Sequence, residues 1–162
     1  MILDLINKDY IEKYLSDLVR FPETSTMLEI RRMAEEQGYP ILRPATAAFL
    51  NVLIRLKKPV SALEIGTSIG YSGLVILQAM GSQGRLITVE SDEGILETAR
   101  ENFIKQGMDN RVTLIAGDGS DVLHHLKDSL DFIFLDGPKA QYLLYLPDCI
   151  RLLRDGGFLV CD

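Results

Sequence analysis

Beyond Pro59 the chain alternates between short apolar runs and longer segments whose apolar residues recur at helical spacing. The runs predict five β-strands, at residues 62–65, 85–90, 112–116, 132–136 and 158–161. The segments between them predict helices at residues 72–80, 92–106, 120–127 and 140–153, and Tyr142 and Tyr145 are expected to pack the last helix rather than bind a ligand. This alternation is typical of an α/β fold. We therefore expect a Rossmann-like, doubly wound parallel sheet with helices on both faces and right-handed crossovers.

The N-terminal part of the chain follows a helical pattern throughout. Apolar residues at helical spacing predict a first helix that contains Ile11, Tyr14, Leu15 and Leu18. Residues 24–38 predict a second helix, because a Thr- and Ser-rich cap precedes it and Gly-Tyr-Pro ends it. Residues 46–56 predict a third, whose apolar face carries Phe49, Leu50, Leu53 and Leu56. We expect one domain, in which a helical segment (residues 1–58) packs on a core (residues 59–162).

Composition and charge narrow the possible functions. Hydrophobic residues make up 47% of the 162 residues, which suits a sizeable core and argues against disorder. No apolar run is long enough to span a bilayer, and residues 1–10 lack the apolar region of a secretory signal. Cys149 and Cys161 lie in apolar segments, which predicts two small core residues in a reduced, cytoplasmic setting. The net charge of −6 argues against an overall basic surface for nucleic acid, but it allows a local patch formed by Arg31, Arg32, Arg43, Arg55, Lys57 and Lys58.

Each predicted strand carries an acidic residue at or just after its end. These residues are Glu64, Glu90, Asp118, Asp136 and Asp162. In open parallel sheets, ligands bind beyond the carboxyl ends of the strands. Packing does not explain one acid for each strand end, so this edge of the sheet is predicted to bind a polar ligand.

The turn after the first strand is spaced by glycines and leads into a helix. Gly66 and Gly70 allow its backbone to approach a ligand closely, but Ser68 stands where the dinucleotide motif G-x-G-x-x-G has its second glycine. Glu64 would repel a pyrophosphate, whereas it suits a ligand with a cationic amino group and hydroxyls. Glu90 follows Gly70 by 20 residues, a spacing that suits an acceptor for both hydroxyls of a ribose. The alternative is an ordinary βα turn followed by a solvated glutamate.

The remaining strand ends suggest two further binding functions. Asp118 and Gly119 form a small turn that can hold the edge of a purine, although an Asp-Gly turn without a ligand fits equally well. Asp136 and Asp162, at neighbouring strand ends, suit a hard divalent cation such as Mg²⁺. Beside such a cation, Lys139 would have a lowered pKa and could accept a proton. The alternatives are a helix cap for Asp136 and a surface charge for Lys139.

Three motifs together resemble those of a known family. LEIGTSIGYS at residues 63–72 resembles a cofactor-binding motif, FLDGPK at residues 134–139 a metal-and-base motif, and LVCD at residues 159–162 a strand that supplies a second metal carboxylate. The family is that of the cation-dependent class I S-adenosylmethionine O-methyltransferases, which includes catechol and caffeoyl-CoA O-methyltransferases. The resemblance runs from about residue 38 to residue 162, and residues 40–42 and 63–71 look most like small bacterial members such as the tRNA 5-hydroxyuridine methyltransferase.

The resemblance implies a role for each matched residue near the cofactor's methionine portion and ribose. Leu42 would contact the methionine end of S-adenosylmethionine through its backbone. Glu64 and Gly66 would line that end, and Ser72 would bind the cofactor's carboxylate. Glu90 would hold the ribose.

Further residues are implied for the adenine, the metal and the catalytic step. Asp118 and Gly119 would hold the adenine. Asp136 and Asp162 would bind Mg²⁺ or another divalent cation, with Asp136 also near the cofactor's amino group. Lys139 would be the catalytic base, acting with Asp136.

The implied activity is the transfer of a methyl group to an acidic hydroxyl, either of a catechol-like small molecule or of 5-hydroxyuridine in tRNA. A homodimer formed through the apolar N-terminal helices is also implied. Family members normally carry an Asn directly after the position of Asp162, as a third metal ligand, and continue into an antiparallel hairpin. The sequence is therefore expected to be a truncated form with weak or absent catalysis, which associates through the edge of its last strand. Two alternatives stay open: a nicotinamide-dependent Rossmann oxidoreductase, and a non-catalytic cofactor-binding or assembly module.

Overall fold

The computed structural model describes residues 9–18 and 22–162, which form seven α-helices, five β-strands and two short 3₁₀ turns. The helices are α1 (Asp9–Leu18), α2 (Ser25–Gln37), α3 (Pro44–Lys57), α4 (Tyr71–Met80), α5 (Glu93–Lys105), α6 (Gly119–His125) and α7 (Tyr142–Leu152). The strands are β1 (Ser61–Ile65), β2 (Arg85–Glu90), β3 (Val112–Ala116), β4 (Leu130–Leu135) and β5 (Leu153–Cys161). The 3₁₀ turns are Asp109–Arg111 and Lys139–Gln141. Part of the predicted N-terminal helical pattern, including the side chain of Leu15, lies outside the described residues.

The five strands form one parallel sheet in the order β3-β2-β1-β4-β5. β1 lies at the centre, where Leu63 pairs with Ile87 on one side and with Ile133 on the other. The chain moves outward from β1 to β3 and then returns to add β4 and β5 on the opposite side of β1. This reversal beside β1 is the usual place for a ligand in a doubly wound sheet. The predicted α/β class and parallel, doubly wound topology are confirmed.

The core lies on both faces of the sheet, because successive side chains of a strand point to opposite faces. On one face, Phe132 and Phe134 of β4 pack with buried residues of α2, α3, α4 and α5. On the other face, Leu63, Ile65 and Ile133 pack with buried residues of α6 and α7. The two clusters hold the carboxyl ends of the central strands at a fixed edge.

The helices before the sheet cover its first face. α2 begins at the N-cap Thr24, whose hydroxyl accepts a hydrogen bond from the Met27 N–H, and it ends at Gly38 in the left-handed conformation. α2 packs against α4 and α5, and α3 packs against α4. No helix within the described ranges is long and apolar enough to cross a membrane.

The buried face of α3 differs from the apolar face predicted from the sequence. Leu50 is buried as expected, but Phe49 and Leu56 are 64% and 75% exposed. The helix instead buries Ala47 and Ile54. Ala47 is small enough to allow a close approach of α3 to α4, and this decides which side of the helix faces the core.

β5 begins earlier than the sequence pattern predicted. Leu153 already pairs with Leu130 of β4, and an irregularity in the register precedes the pairing of Phe158 with Phe132. β5 is an edge strand of this sheet, and Cys161 is its last residue. Cys161 is consequently exposed, so its prediction as a core residue was wrong, whereas Cys149 on α7 is buried.

Candidate active site

A cavity of about 560 Å³ opens beyond the carboxyl ends of the strands. Residues 39–42, which join α2 to α3 and which we call the strap, form part of its wall. Its size and mixed polar and apolar lining are typical of small-molecule sites. Most of the predicted site residues line this cavity: Leu42, Gly66, Ser72, Glu90, Asp118, Gly119, Asp136 and Asp162.

The turn between β1 and α4 brings the backbone to the cavity because its glycines permit it. Gly66 has a φ of +102°, and a Cβ at this position would lie 2.5 Å from the Asp136 carbonyl oxygen. The Gly66 N–H donates to the Val89 carbonyl at 2.9 Å, which joins the ends of β1 and β2. Gly70, with a φ of +88°, begins α4. Only glycine at position 66 lets the ends of β1 and β4 lie this close together.

Glu90, at the end of β2, has its carboxylate fixed by main-chain donors. One oxygen accepts hydrogen bonds from the Ser91 and Asp92 N–H groups at 2.9 and 3.2 Å. The other accepts from the Ser68 N–H at 3.0 Å. The side chain is half-buried and lines the cavity. The oxygen that accepts from Ser68 has a second acceptor direction, so Glu90 can still accept a hydrogen bond from a ligand hydroxyl.

Glu64 does not itself line the cavity, because its side chain is completely buried behind the wall. The Thr88 hydroxyl donates to one of its oxygens at 2.6 Å, and Ser72, which lines the cavity, also hydrogen-bonds to it. The other oxygen has no hydrogen-bond partner within the described part of the chain. Burial raises the pKa of Glu64 to about 7, even though the bonds from Ser72 and Thr88 act to lower it.

Asp118 and Gly119 lie between β3 and α6. One oxygen of Asp118 accepts from the Ser120 N–H at 2.8 Å, so this residue is the N-cap of α6 as well as part of the cavity wall. A Cβ on Gly119 would lie 2.9 Å from Ile65 and from the Tyr145 hydroxyl. Tyr145 also lines the cavity, although its helical spacing indicated a packing role. Its ring does pack in the core, as predicted. Nothing in the sequence indicates that the same side chain also reaches the cavity.

Asp136, Lys139 and Asp162 meet at the ends of β4 and β5. The Lys139 ammonium lies 3.4 Å from an Asp136 carboxylate oxygen and also donates to the main-chain oxygen of Asp162. Tyr142 contacts the same lysine at 3.3 Å. Burial, followed by the charge of Asp162, raises the pKa of Asp136, while Lys139 partly offsets this effect. The pair of carboxylates is therefore close enough for the two charges to interact.

The protein groups around Lys139 act on its pKa in opposite directions. Partial burial acts to lower its pKa, but the neighbouring Tyr142 and Asp136 outweigh burial and raise it. The lowering expected beside a bound cation stays a prediction. The residues that the structure describes contain no cluster of three or more His, Cys, Asp or Glu side chains suited to a metal ion.

A half-buried network at the cavity wall was missed by the sequence reasoning. Tyr71, the first residue of α4, lines the cavity and donates its hydroxyl to Glu23 at 2.7 Å. Arg31 on α2 pairs with Glu23 at 2.8 Å, and its guanidinium lies 4.8 Å from the centre of the Tyr71 ring. This engagement removes Arg31 from the local basic patch that the sequence suggested.

Comparisons with known proteins agree with this geometry. The model of a family described as O-methyltransferase matches residues 14–162. The chain belongs to this O-methyltransferase family. One relative, from Mycobacterium sp. (strain JLS) and named only as an O-methyltransferase, is 35% identical over 140 residues, or 85% of this chain and 64% of the relative. A catechol O-methyltransferase from Niastella koreensis is 31% identical over 158 residues, or 94% of this chain and 71% of that protein.

The fold comparison gives the same result. The O-methyltransferase from Bacillus cereus, solved in complex with SAH, is 29% identical to this chain and superposes with a TM-score of 0.84. The match covers 94% of this chain and 72% of the Bacillus protein. The O-methyltransferase resemblance of the sequence is confirmed at the level of the family. The chain spans about two thirds of the length of the relatives it matches.

Proposed function

We propose that this chain binds S-adenosylmethionine in the cavity and forms the cofactor-binding part of an O-methyltransferase. The observation that carries this proposal is the carboxylate of Glu90, which main-chain N–H groups hold at the cavity wall, next to the glycine turn. Backbone donors orient this acceptor before any ligand arrives, so little conformational entropy is lost when a ribose binds. The SAH complex of the Bacillus relative, which shares this fold, supports the same conclusion.

The cavity wall fits each portion of this cofactor. Glu90 lines the cavity and would hold the ribose, and Asp118 with Gly119 would hold the adenine. Ser72 and Leu42 of the strap also line the cavity, where they would contact the methionine portion. Glu64 hydrogen-bonds to Ser72 from behind the wall, and a bound cationic sulfonium and amino group would favour its ionised form.

Asp136 and Asp162 fit a hard divalent cation such as Mg²⁺, because both offer carboxylate oxygens at one edge and like charge makes the pair unfavourable when nothing neutralises it. Such a cation would polarise the acceptor hydroxyl and favour its ionised form. Lys139, whose own neighbours keep it positively charged, is placed to stabilise an acceptor oxyanion next to Asp136. Its role as a base is proposed only for a state in which its pKa has been lowered.

The chemical step is a displacement at carbon. The acceptor oxygen forms a new bond to the methyl carbon, the bond between that carbon and sulfur breaks, and its electron pair remains on sulfur, which becomes neutral. The acceptor's proton leaves before or during the transfer, to solvent while Lys139 is charged, or to the Lys139 amine in a state in which its pKa has been lowered. The main contribution of the protein is to hold the two reactants in line. In well-oriented systems this lowers the barrier by about 7 kcal/mol or more.

The acceptor is proposed to be an acidic hydroxyl, either of a catechol-like molecule or of 5-hydroxyuridine in tRNA. A relative named as a catechol O-methyltransferase favours the first. Arg31 pairs with Glu23, so its charge contributes less to the basic patch that would favour a tRNA acceptor. Transfer assays with Mg²⁺, run on a catechol panel and on hydroxylated tRNA and repeated with a chelator, distinguish these acceptors and test the metal.

The cofactor is tested by calorimetric titration of the chain with S-adenosylhomocysteine, S-adenosylmethionine and NADH. We expect binding of the two adenosyl compounds and none of NADH. Glu90→Gln should weaken adenosyl binding about tenfold or more, because it removes a charged acceptor for the ribose hydroxyls. Glu101→Gln is the matched control, since Glu101 is exposed on α5 and away from the cavity. Binding of NADH alone would favour the oxidoreductase alternative, and cofactor binding without transfer to any acceptor would favour a non-catalytic module.

We also propose a homodimer. Phe49, Val52 and Leu56 on α3 are each more than half exposed and lie on one side of the helix, which supports an apolar surface for a second copy. Light scattering of the purified chain, compared with Val52→Glu, measures this directly. A monomer at every concentration would contradict it.

A further inference from the structure

Ser68 has an unusual backbone conformation in the turn that forms the cavity floor. Its φ is +45°, and Lys58 is the only other non-glycine residue with a positive φ in the described part of the chain. Residues other than glycine adopt this left-handed region uncommonly. Ser68 is also the residue that departs from the dinucleotide motif, where a glycine would stand.

This conformation directs two polar groups of one residue to two different parts of the cavity wall. The Ser68 N–H donates to Glu90 at 3.0 Å, and the Ser68 hydroxyl donates to the Pro40 carbonyl of the strap at 3.2 Å. The first bond holds the acidic residue at the end of β2. The second holds the middle of the strap, which also lines the cavity.

The strap is otherwise attached on either side of Pro40, where Tyr39 and Ile41 also pack against the core. The Tyr39 N–H donates to the Ala34 carbonyl at 3.0 Å, and the side chain of Leu42 is buried in the core. Between these points Pro40 is exposed, and its carbonyl accepts the bond from Ser68 at the protein surface. A single exposed hydrogen bond of this kind is weak enough to open and strong enough to shift an equilibrium.

We propose that Ser68 is a positioning residue that fixes the strap and the Glu90 carboxylate relative to each other, so that the two ends of the cofactor are bound together. Its N–H acts on the ribose through Glu90, and its hydroxyl acts on the methionine portion through the strap. A glycine here would keep the first function and lose the second. This inference rests on the proposed cofactor site.

Two variants separate the two functions. Ser68→Gly adopts the same φ without strain and keeps the N–H, but it lacks the hydroxyl. Ser68→Val disfavours this φ because its side chain is β-branched, so the peptide should rotate and the N–H should leave Glu90. The ligands are S-adenosylhomocysteine, which extends to the strap, and adenosine, which carries the ribose but no methionine portion.

In titration calorimetry, Ser68→Gly should weaken S-adenosylhomocysteine binding about three- to tenfold and leave adenosine binding within about twofold of wild type. Amide hydrogen exchange of residues 41 and 42 should be faster in this variant. Ser68→Val should weaken both ligands. A purely structural role would change both ligands in parallel, so equal losses in Ser68→Gly, or no loss, overturn the inference. If Ser68→Val does not fold, the glycine variant alone decides it. Failure of the wild-type chain to bind either ligand would instead overturn the proposed function.

Discussion

The buried carboxyl of Glu64 gives a quantitative prediction for the pH dependence of folding. Burial raises its pKa from 4.5 to about 7, with the charges of Asp136 and Glu90 adding to the effect. The folded chain therefore holds this proton more tightly than the unfolded chain. Stability is lost as the pH rises from about 4.5 towards 7 and stays at its lower level above that, because the folded state must then ionise a desolvated group.

The size of the effect follows from the linkage between proton binding and folding. For a pKa of 4.5 in the unfolded chain and about 7 in the folded chain, Glu64 should lower the free energy of unfolding by about 2.5 kcal/mol between pH 5 and pH 8. Glu64→Gln has a side chain of the same shape that does not titrate. Its free energy of unfolding should accordingly decrease less over this pH range, whatever its value at pH 5.

The assay is urea denaturation at several pH values between 5 and 8, without cofactor, for the wild type, Glu64→Gln and Glu101→Gln. The exposed Glu101 serves as the control, and its variant should follow the wild-type pH profile. Comparing slopes removes any constant cost from the altered hydrogen bond with Thr88. Identical pH profiles for wild type and Glu64→Gln would show that Glu64 is ionised in the folded chain at pH 5, and the reasoning from burial would be refuted.

Two further predictions concern the cavity floor and the metal edge. Gly66→Ala should destabilise the chain by about 3 kcal/mol or more and abolish adenosyl binding, since its Cβ would lie 2.5 Å from the Asp136 carbonyl oxygen. Gly81→Ala is the control, because Gly81 also has a positive φ but a Cβ there would meet nothing within 4 Å. In thermal or urea unfolding, the control variant should lose only about 1 kcal/mol of stability. Equal costs for the two glycine variants would contradict the close approach of the strand ends. Asp136→Ala should abolish Mg²⁺-stimulated methyl transfer and retain the wild-type circular dichroism spectrum; transfer that is unaffected by this change or by a chelator would exclude the proposed metal role.

The sequence predicts the sheet and its ligand-binding edge because both depend on local patterns. Buried parallel strands are short apolar runs, and an acid such as Glu90 after such a run marks where the strand leaves the core. The glycines of the first turn are equally visible, since few other residues could replace Gly66. The family resemblance rests on these same local motifs, and it is confirmed by the match over residues 14–162.

The sequence predicts less accurately those features that depend on contacts with residues far away along the chain. The exposed side of α3 is set by how closely Ala47 approaches α4, and the early start of β5 is set by pairing of Leu153 with Leu130. The raised pKa of Lys139 comes from Tyr142 and Asp136, which only the folded turn brings together around it. In each case the missing information is the spatial relation between two elements.

Glu64 and Glu90 show that two similar sequence patterns can lead to very different environments in the structure. Both are glutamates near the end of an apolar strand, yet one is completely buried and the other lines the cavity. The register of β1 and β2 pairs Glu64 with Thr88, which donates to it, whereas Glu90 lies two residues further along, where the turns supply main-chain donors. A difference of two residues along β2 thus separates a core acid, whose pKa burial raises, from an acid that can accept a hydrogen bond from a ligand hydroxyl.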